Sequence, residues 1–437
     1  MVDVYKIISV GEDRFLGTQG SWNNSIEFLM SCIAMSVGFG NIWRFPFTAY
    51  KNGGGAFLIP YVILLFLVGK PFYFLEMIMG QFSGRSSIRV WNVSPAFVGV
   101  GWAQFSSTIV LATYYSSLMA LTLYYLVASF SIELPWAKCL EEWGVYCIDS
   151  SSKKTYNMMT NDTSFLKGNY SLNKLDYTAV NPVYRSSAEL YFLNTVLHEK
   201  DNIDDGIGLP DWKLTLCLFG CWASVFMVIF QGAKSTGRAS YFLAIFPYIV
   251  LIALLVRAVT LNGAVNGILF FITPQWDMLL KPEVWYAAVT QCFFSLSVCF
   301  GAIVTYSTNN EFKHNIYRYV VILIIFPYNR IRVDNSTISN KYSTSLQLFS
   351  ILFFVMMFVL GIGSSVGMTS SLHVILNEQF PNLKTWQIVL PLCTDLDQFI
   401  LFFFFLFLST MVSSIFRVDN GFLFWLIIMA LPLSCSF

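Results

Sequence analysis

The sequence predicts an all-α integral membrane protein, and three observations carry that prediction. Hydrophobic residues make up 56% of the 437 positions and charged residues only 12%, where soluble domains carry roughly 25% charge. The apolar residues fall in runs of the length needed to cross about 30 Å of hydrocarbon, about 20 residues of helix. Two of those runs, five spans apart, are interrupted mid-way by glycine and polar residues, which predicts a pair of discontinuous helices related as an inverted repeat.

Taken in order, the runs lie near Ile26–Tyr50, Ala56–Met79, Val98–Phe130, Leu214–Phe230 and Tyr241–Val256. Further runs follow near Val284–Tyr306, Leu346–Leu376, Gln387–Leu408 and Phe422–Pro432, for eight or nine spans in all. Residues 1–24 are polar, with Asp3, Glu12, Asp13 and Arg14, and read as a cytosolic N-terminal segment without a cleavable signal peptide. Arg85 and Arg89 after the second run, and Lys234 and Arg238 after the fourth, mark cytosolic sides by the positive-inside rule.

Residues 131–210 then form a large extracellular loop, with glycosylation expected at Asn161 and Asn169 in Asn-Asp-Thr and Asn-Tyr-Ser. Cys139 and Cys147 share that oxidising loop and are expected to pair, two free thiols being the alternative. The membrane domain so defined spans 25–386, and 387–437 is a divergent phenylalanine-rich tail. The net charge of +1 and the absence of a basic cluster or a zinc-type Cys/His spacing give no reason to expect nucleic acid. No nucleophile–base pairing or metal cluster suggests an enzyme.

The chemistry concentrates at the two interruptions. Ser36-Val37-Gly38-Phe39-Gly40-Asn41-Ile42-Trp43-Arg44-Phe45-Pro46 breaks the first span. Backbone freed at that depth is tolerated where it lines a cavity, and its carbonyls can then hold a cation. Phe293-Phe294-Ser295-Leu296-Ser297-Val298-Cys299-Phe300-Gly301 repeats the feature in the sixth span. Gln291 and Glu76 add polar groups that a lipid-facing helix would not carry. Interhelical hydrogen bonding, with no transport, is the plainer reading of both.

With Lys51-Asn52-Gly53-Gly54-Gly55-Ala56-Phe57-Leu58-Ile59-Pro60-Tyr61, the first interruption resembles the signature of neurotransmitter:sodium symporters. The likeness continues through Pro71, Glu76, Gly80-Gln81, Tyr114-Tyr115, the Cys139/Trp143/Cys147 loop and the broken sixth helix, and returns at Leu360-Gly361-Ile362-Gly363-Ser364. It implies a leucine-transporter-like inverted repeat, and its aromatic-rich character is similar to insect sodium-dependent nutrient amino-acid transporters.

By that resemblance two sodium ions and a substrate share one pocket. One Na⁺ would take the backbone carbonyls of Ala34, Val37 and Leu360 and the hydroxyl of Ser364. The other would use the Ser36 carbonyl, the Asn41 side chain and Ser295, and lacks an asparagine normally supplied by the seventh helix. Tyr115 would hydrogen-bond the substrate carboxylate and Ser297 would accept from its amine. Phe294 and Phe300 would wall the side-chain pocket, with Arg44 as the outer gate. Tyr61, Gln291 and Ser295 correspond to members of a chloride site. Monoamine members place an aspartate where this chain has Gly38, so the resemblance implies an α-amino acid, of a neutral or aromatic kind, taken up across the plasma membrane.

The pattern breaks after Arg318. Residues 319–343 hold about ten apolar positions, roughly 15 Å of helix or half a bilayer, where the family has its seventh helix. The normal C-terminal helices are missing as well, and Gln19 stands where an arginine usually precedes Trp22 by three residues. A missed coding segment, a splice form or a degenerate copy would each account for this. Two functions are therefore carried forward: sodium-coupled amino-acid symport by alternating access, and a transport-inactive isoform that associates with full-length relatives. Monoamine transport is a third.

Overall fold

The computed structural model describes residues 22–131, 133–143, 147–149, 185–199, 210–260, 269, 273, 275–325 and 343–394. The N-terminal segment up to residue 21, Asn161, Asn169 and the tail beyond 394 lie outside the described residues. Among the described residues five helices are long and apolar enough to cross a membrane, or six if one bent pair counts as a single span.

The bent pair comes first. Helix α1 (Ser25–Ser36) opens with Glu27 in its first turn, whose carboxylate accepts from the Asn23 backbone N–H at 3.2 Å. It stops at Val37, a π turn follows over Gly40–Arg44, and α2 (Phe45–Lys51) leaves at 52° to α1. Helices α3 (Leu58–Leu64) and α4 (Lys70–Ser83) form the second span, joined by a π turn over Leu65–Gly69. Gly84, in the left-handed region at φ +61°, ends it. Helix α5 (Val98–Ala128) returns.

In the loop that follows, Cys139 and Cys147 are joined by a disulfide, Cα–Cα 6.0 Å. Strand β1 (Cys147–Ile148) pairs in parallel with β2 (Arg185–Ser186), and a short helix α6 (Ser187–Leu190) is capped by the Ser186 hydroxyl. Helices α7 (Trp212–Ile229) and α8 (Ala233–Val259) are the next two spans. Hydropathy placed the start of the second at Tyr241. The helix takes in Lys234 and Arg238 as well, because charged side chains at a span's end reach water while their backbone stays helical.

The sixth span is two helices, α9 (Pro282–Leu296) and α10 (Ala302–Thr308). Helix α11 (Ile316–Ile325) has ten residues, a rise of about 15 Å. Helix α12 (Ser343–Gln379) covers the run near Leu346–Leu376 and α13 (Thr385–Thr394) begins the next.

Two ends can be told apart. At the arginine end, Trp22 donates through Nε1 to the Tyr306 carbonyl (3.0 Å), and Gln81 donates to the carbonyls of Phe312 and His314 (2.9 Å each). The start of α1, the end of α4 and the chain after α10 meet there, beside Arg85 and Arg89. At the disulfide end, Gln347 of α12 donates to the Ser131 carbonyl just past α5 (2.8 Å). Helix α11 therefore starts at the arginine end and α12 starts at the disulfide end.

The centre is built from α1, α4, α5, α8, α9, α10 and α12, with Phe28, Met35, Met77, Met119, Leu296 and Ile303 fully buried. In lipid, apolar burial itself drives little association, so close packing has to hold helices together. Gly363 provides it: a Cβ there would sit 2.6 Å from the Ala34 carbonyl oxygen, so only glycine lets α12 touch the α1 backbone. Met35 seats over Gly367 in the same way, 2.6 Å from where its Cβ would be.

Candidate functional site

The site lies where the two interruptions face each other. In the first, Asn41 is 5% exposed, and its side-chain nitrogen donates to the carbonyls of Ser36 and Ser295, the latter at 3.2 Å. Two carbonyl oxygens from different helices thus converge on one small, positively polarised group. That is the arrangement of hard oxygen ligands that suits Na⁺. Ser295 contributes its carbonyl to this cluster, whereas its hydroxyl accepts from Gln291 Nε2 at 3.1 Å.

The other expected ligand set lies on the contact between α1 and α12. Ala34, Val37, Leu360 and Ser364 are all buried there. The Ala34 oxygen faces Gly363, and the Ser364 hydroxyl donates to the Met35 carbonyl at 3.1 Å. These are neutral oxygens, and residue 363 sets no Cβ against the Ala34 carbonyl. The residues present fit a sodium ion.

The second interruption is held differently. Ser297, Cys299 and Gly301 have φ of +53°, +74° and +72°. Left-handed conformation costs a non-glycine residue about 1–2 kcal/mol, so the surroundings must hold it. Glu76 accepts from the Cys299 backbone N–H (2.9 Å) and from Gln104 Nε2 (3.3 Å). Thr108 donates to the Phe300 carbonyl at 2.7 Å.

Between the two lies a cavity of about 40 Å³ lined by Gly38, Tyr115, Phe294, Ser297, Phe300 and Ser364, among others. A water needs about 10–15 Å³ on the same measure, so this is room for about three waters and less than an amino acid. The walls must part to admit one. Tyr115 accepts from the Phe39 N–H at 2.9 Å, which leaves its own proton to donate, and its ring stacks on Phe39 at 4.8 Å between centroids. Phe294 lies 6.1 Å from Phe300, and the Arg44 guanidinium sits 4.3 Å from the Phe294 ring centroid. A cation over an aromatic face at this distance is favourable.

A Cβ on Gly38 would come within 2.4 Å of both Ser364 Oγ and Tyr115 Oη. A side chain there would require both hydroxyls to shift.

The expected chloride residues come together only in part. Gln291 uses its two amide N–H groups on Gly40 O (2.8 Å) and Ser295 Oγ, while Tyr61 is buried among Phe45 and Phe57. In this arrangement Gln291 has no donor left for an anion. Reading the sequence missed Gln104, Thr108 and Leu111. The signal was present: 104, 108, 111 and 115 recur at three- and four-residue spacing, one face of α5, with two polar groups in an apolar span.

Three relatives show the same affiliation. The chain is 50% identical over 405 residues to the sodium-dependent nutrient amino acid transporter 1 of Drosophila mojavensis, covering 85% of this chain and 62% of the relative. It is 49% identical over 406 residues to the protein of that name in Drosophila virilis (85% and 63%), and 48% over 413 residues to that in Drosophila willistoni (86% and 64%). The chain thus spans less than two thirds of their length. Residues 19–331, which contain both interruptions, match the sodium:neurotransmitter symporter family, and the chain belongs to that family.

Proposed function

We propose that this chain is the ion- and substrate-binding core of a plasma-membrane symporter that couples Na⁺ entry to uptake of neutral and aromatic α-amino acids by alternating access. The observation that carries the reading is the convergence of the Ser36 and Ser295 carbonyls on Asn41 beside a cavity lined by Gly38. An α-amino acid can bring its own carboxylate into that space, next to the cation and to Tyr115. A monoamine would need an acid at residue 38, and this chain has glycine there.

The arginine end is then cytosolic, and Asn161, Asn169 and the Cys139–Cys147 bridge are extracellular. Ser297 receives the amine, Phe294 and Phe300 close over the side chain, and Arg44 seals the outer face. The test is uptake of labelled neutral amino acids by cells expressing the chain, with Na⁺ replaced by N-methyl-D-glucamine. Uptake that falls to background without Na⁺ supports the proposal. Uptake indifferent to Na⁺ would remove it.

A second reading has its own support. Helix α11 supplies half a crossing. In addition, the chain spans only 62% of the Drosophila mojavensis relative. The alternative is a non-transporting chain that associates with full-length relatives, and lowered surface levels of a co-expressed relative would favour it.

A further inference from the structure

Glu76 stands in the middle of α4, 7% exposed, with half of its carboxyl group unanswered. Its Oε1 accepts both N–H groups described above, from Cys299 and from Gln104. Its Oε2 has no hydrogen-bond partner. Among the described residues no lysine, arginine or histidine forms an ion pair with this acid. Burying a charge without a counter-charge costs far more than burying a neutral polar group, so a carboxylate here calls for something positive beside Oε2.

Two more oxygens are left over close to it. Tyr73 lies one turn earlier on the same face of α4, is fully buried, and has no hydrogen-bond partner for its Oη. The polar neighbours of that hydroxyl are Cys32 and Ser36 of α1, with Glu76 near by. The Ser36 hydroxyl is unpartnered as well, in a residue 3% exposed. Ser36 thus turns its two oxygens in different directions, the carbonyl to Asn41 and the hydroxyl towards Tyr73. A neutral Glu76 would hand its proton to one of these hydroxyls, and neither is in hydrogen-bonding distance of it. Three buried oxygens gathered about Tyr73 without bonding to one another, one of them on an acid, make the donor set of a small hard cation.

We propose that Glu76 Oε2, Tyr73 Oη and Ser36 Oγ form a further site for a sodium ion, behind the first interruption and distinct from the two expected ligand sets. This donor set carries a full negative charge, whereas the expected sets offer neutral oxygens until a substrate carboxylate arrives. The ion therefore binds without substrate. Because Ser36 holds one ion through its hydroxyl and another through its carbonyl, filling this site fixes the end of α1 and prepares the cluster at Asn41. The consequence for coupling rests on the transport reading above, and the binding itself does not.

The test is equilibrium binding of radiolabelled Na⁺ to the purified full chain in detergent, without amino acid. Glu76→Gln keeps an oxygen for the Cys299 N–H and removes the charge, and it should bind one ion fewer per chain than the parent. Tyr73→Phe keeps the ring and Ser36→Ala keeps the carbonyl on Asn41, so each removes one neutral ligand and should weaken that ion about tenfold. Equal Na⁺ binding by the parent and Glu76→Gln, at equal amounts of folded protein by gel filtration, would overturn the site, the acid then being neutral. Parental affinity in both Tyr73→Phe and Ser36→Ala would overturn it too, and decides the matter if Glu76→Gln does not fold. Uptake measured in parallel separates the two claims. Uptake indifferent to Na⁺ with the Glu76-dependent ion still bound sinks the transport reading alone, and Na⁺-dependent uptake with no such ion sinks the site alone.

Discussion

The two interruptions solve one problem by opposite means. In the first, Val37 leaves the helical region at φ −90°, ψ 78° ahead of a π turn, and side chains reach the freed carbonyls as donors: Asn41 to Ser36 O and Gln291 to Gly40 O. In the second, the backbone turns left-handed at three alternate residues, and a carboxylate from α4 receives the freed N–H of Cys299. The first break therefore presents oxygens that a cation can share, while the second presents a rigid bend pinned by an acid. A buried unpaired backbone group costs about 1–3 kcal/mol, so each break is only as sound as the side chains that answer it.

The largest expected effect tests the first break. Gly38→Asp must shift the Tyr115 and Ser364 hydroxyls and sets a carboxylate where that of the substrate would lie, so amino-acid binding measured with radiolabelled substrate on purified protein should fall roughly 100-fold, about 3 kcal/mol. Retention of parental affinity would mean that the first break is more pliable than its contacts imply. Next, Glu76→Ala removes the acceptor for Cys299 N–H and should cost about 1–3 kcal/mol in stability, read as a lowered midpoint of thermal unfolding in detergent. If Asn41→Ala destabilises more than Glu76→Ala does, the contrast between the breaks is reversed. The smallest effect has the opposite sign. Cys299→Gly removes the left-handed penalty but adds freedom to the unfolded chain, for a net gain of about 0.5 kcal/mol. Cys299→Ala, as its control, should show no gain.

Much of this was legible in the sequence, for identifiable reasons. The first break announced itself because glycine, asparagine, arginine and proline fall together in an apolar run from Gly38 to Pro46. The second was visible as a place but not as a geometry: nothing in Ser-Leu-Ser-Val-Cys says that Ser297 and Cys299 are left-handed, since glycine is what normally signals it. Hydropathy found the spans and misplaced the start of α8, because it cannot see helix that extends into the headgroups. The meeting of Tyr73 with Ser36 was out of reach for a different reason. The two lie far apart in the chain, and Tyr73 reads as one more aromatic in an apolar run.

The seating of α12 on α1 constrains how such a molecule could work as a machine. With the Ala34 carbonyl against Gly363 and Met35 lodged over Gly367, the two helices mesh like gear teeth. Advancing one past the other by even a single residue, about 1.5 Å, would run Met35 off its glycine seat and into a neighbouring side chain. Sliding or screwing α1 along α12 would therefore cost the Met35–Gly367 contact.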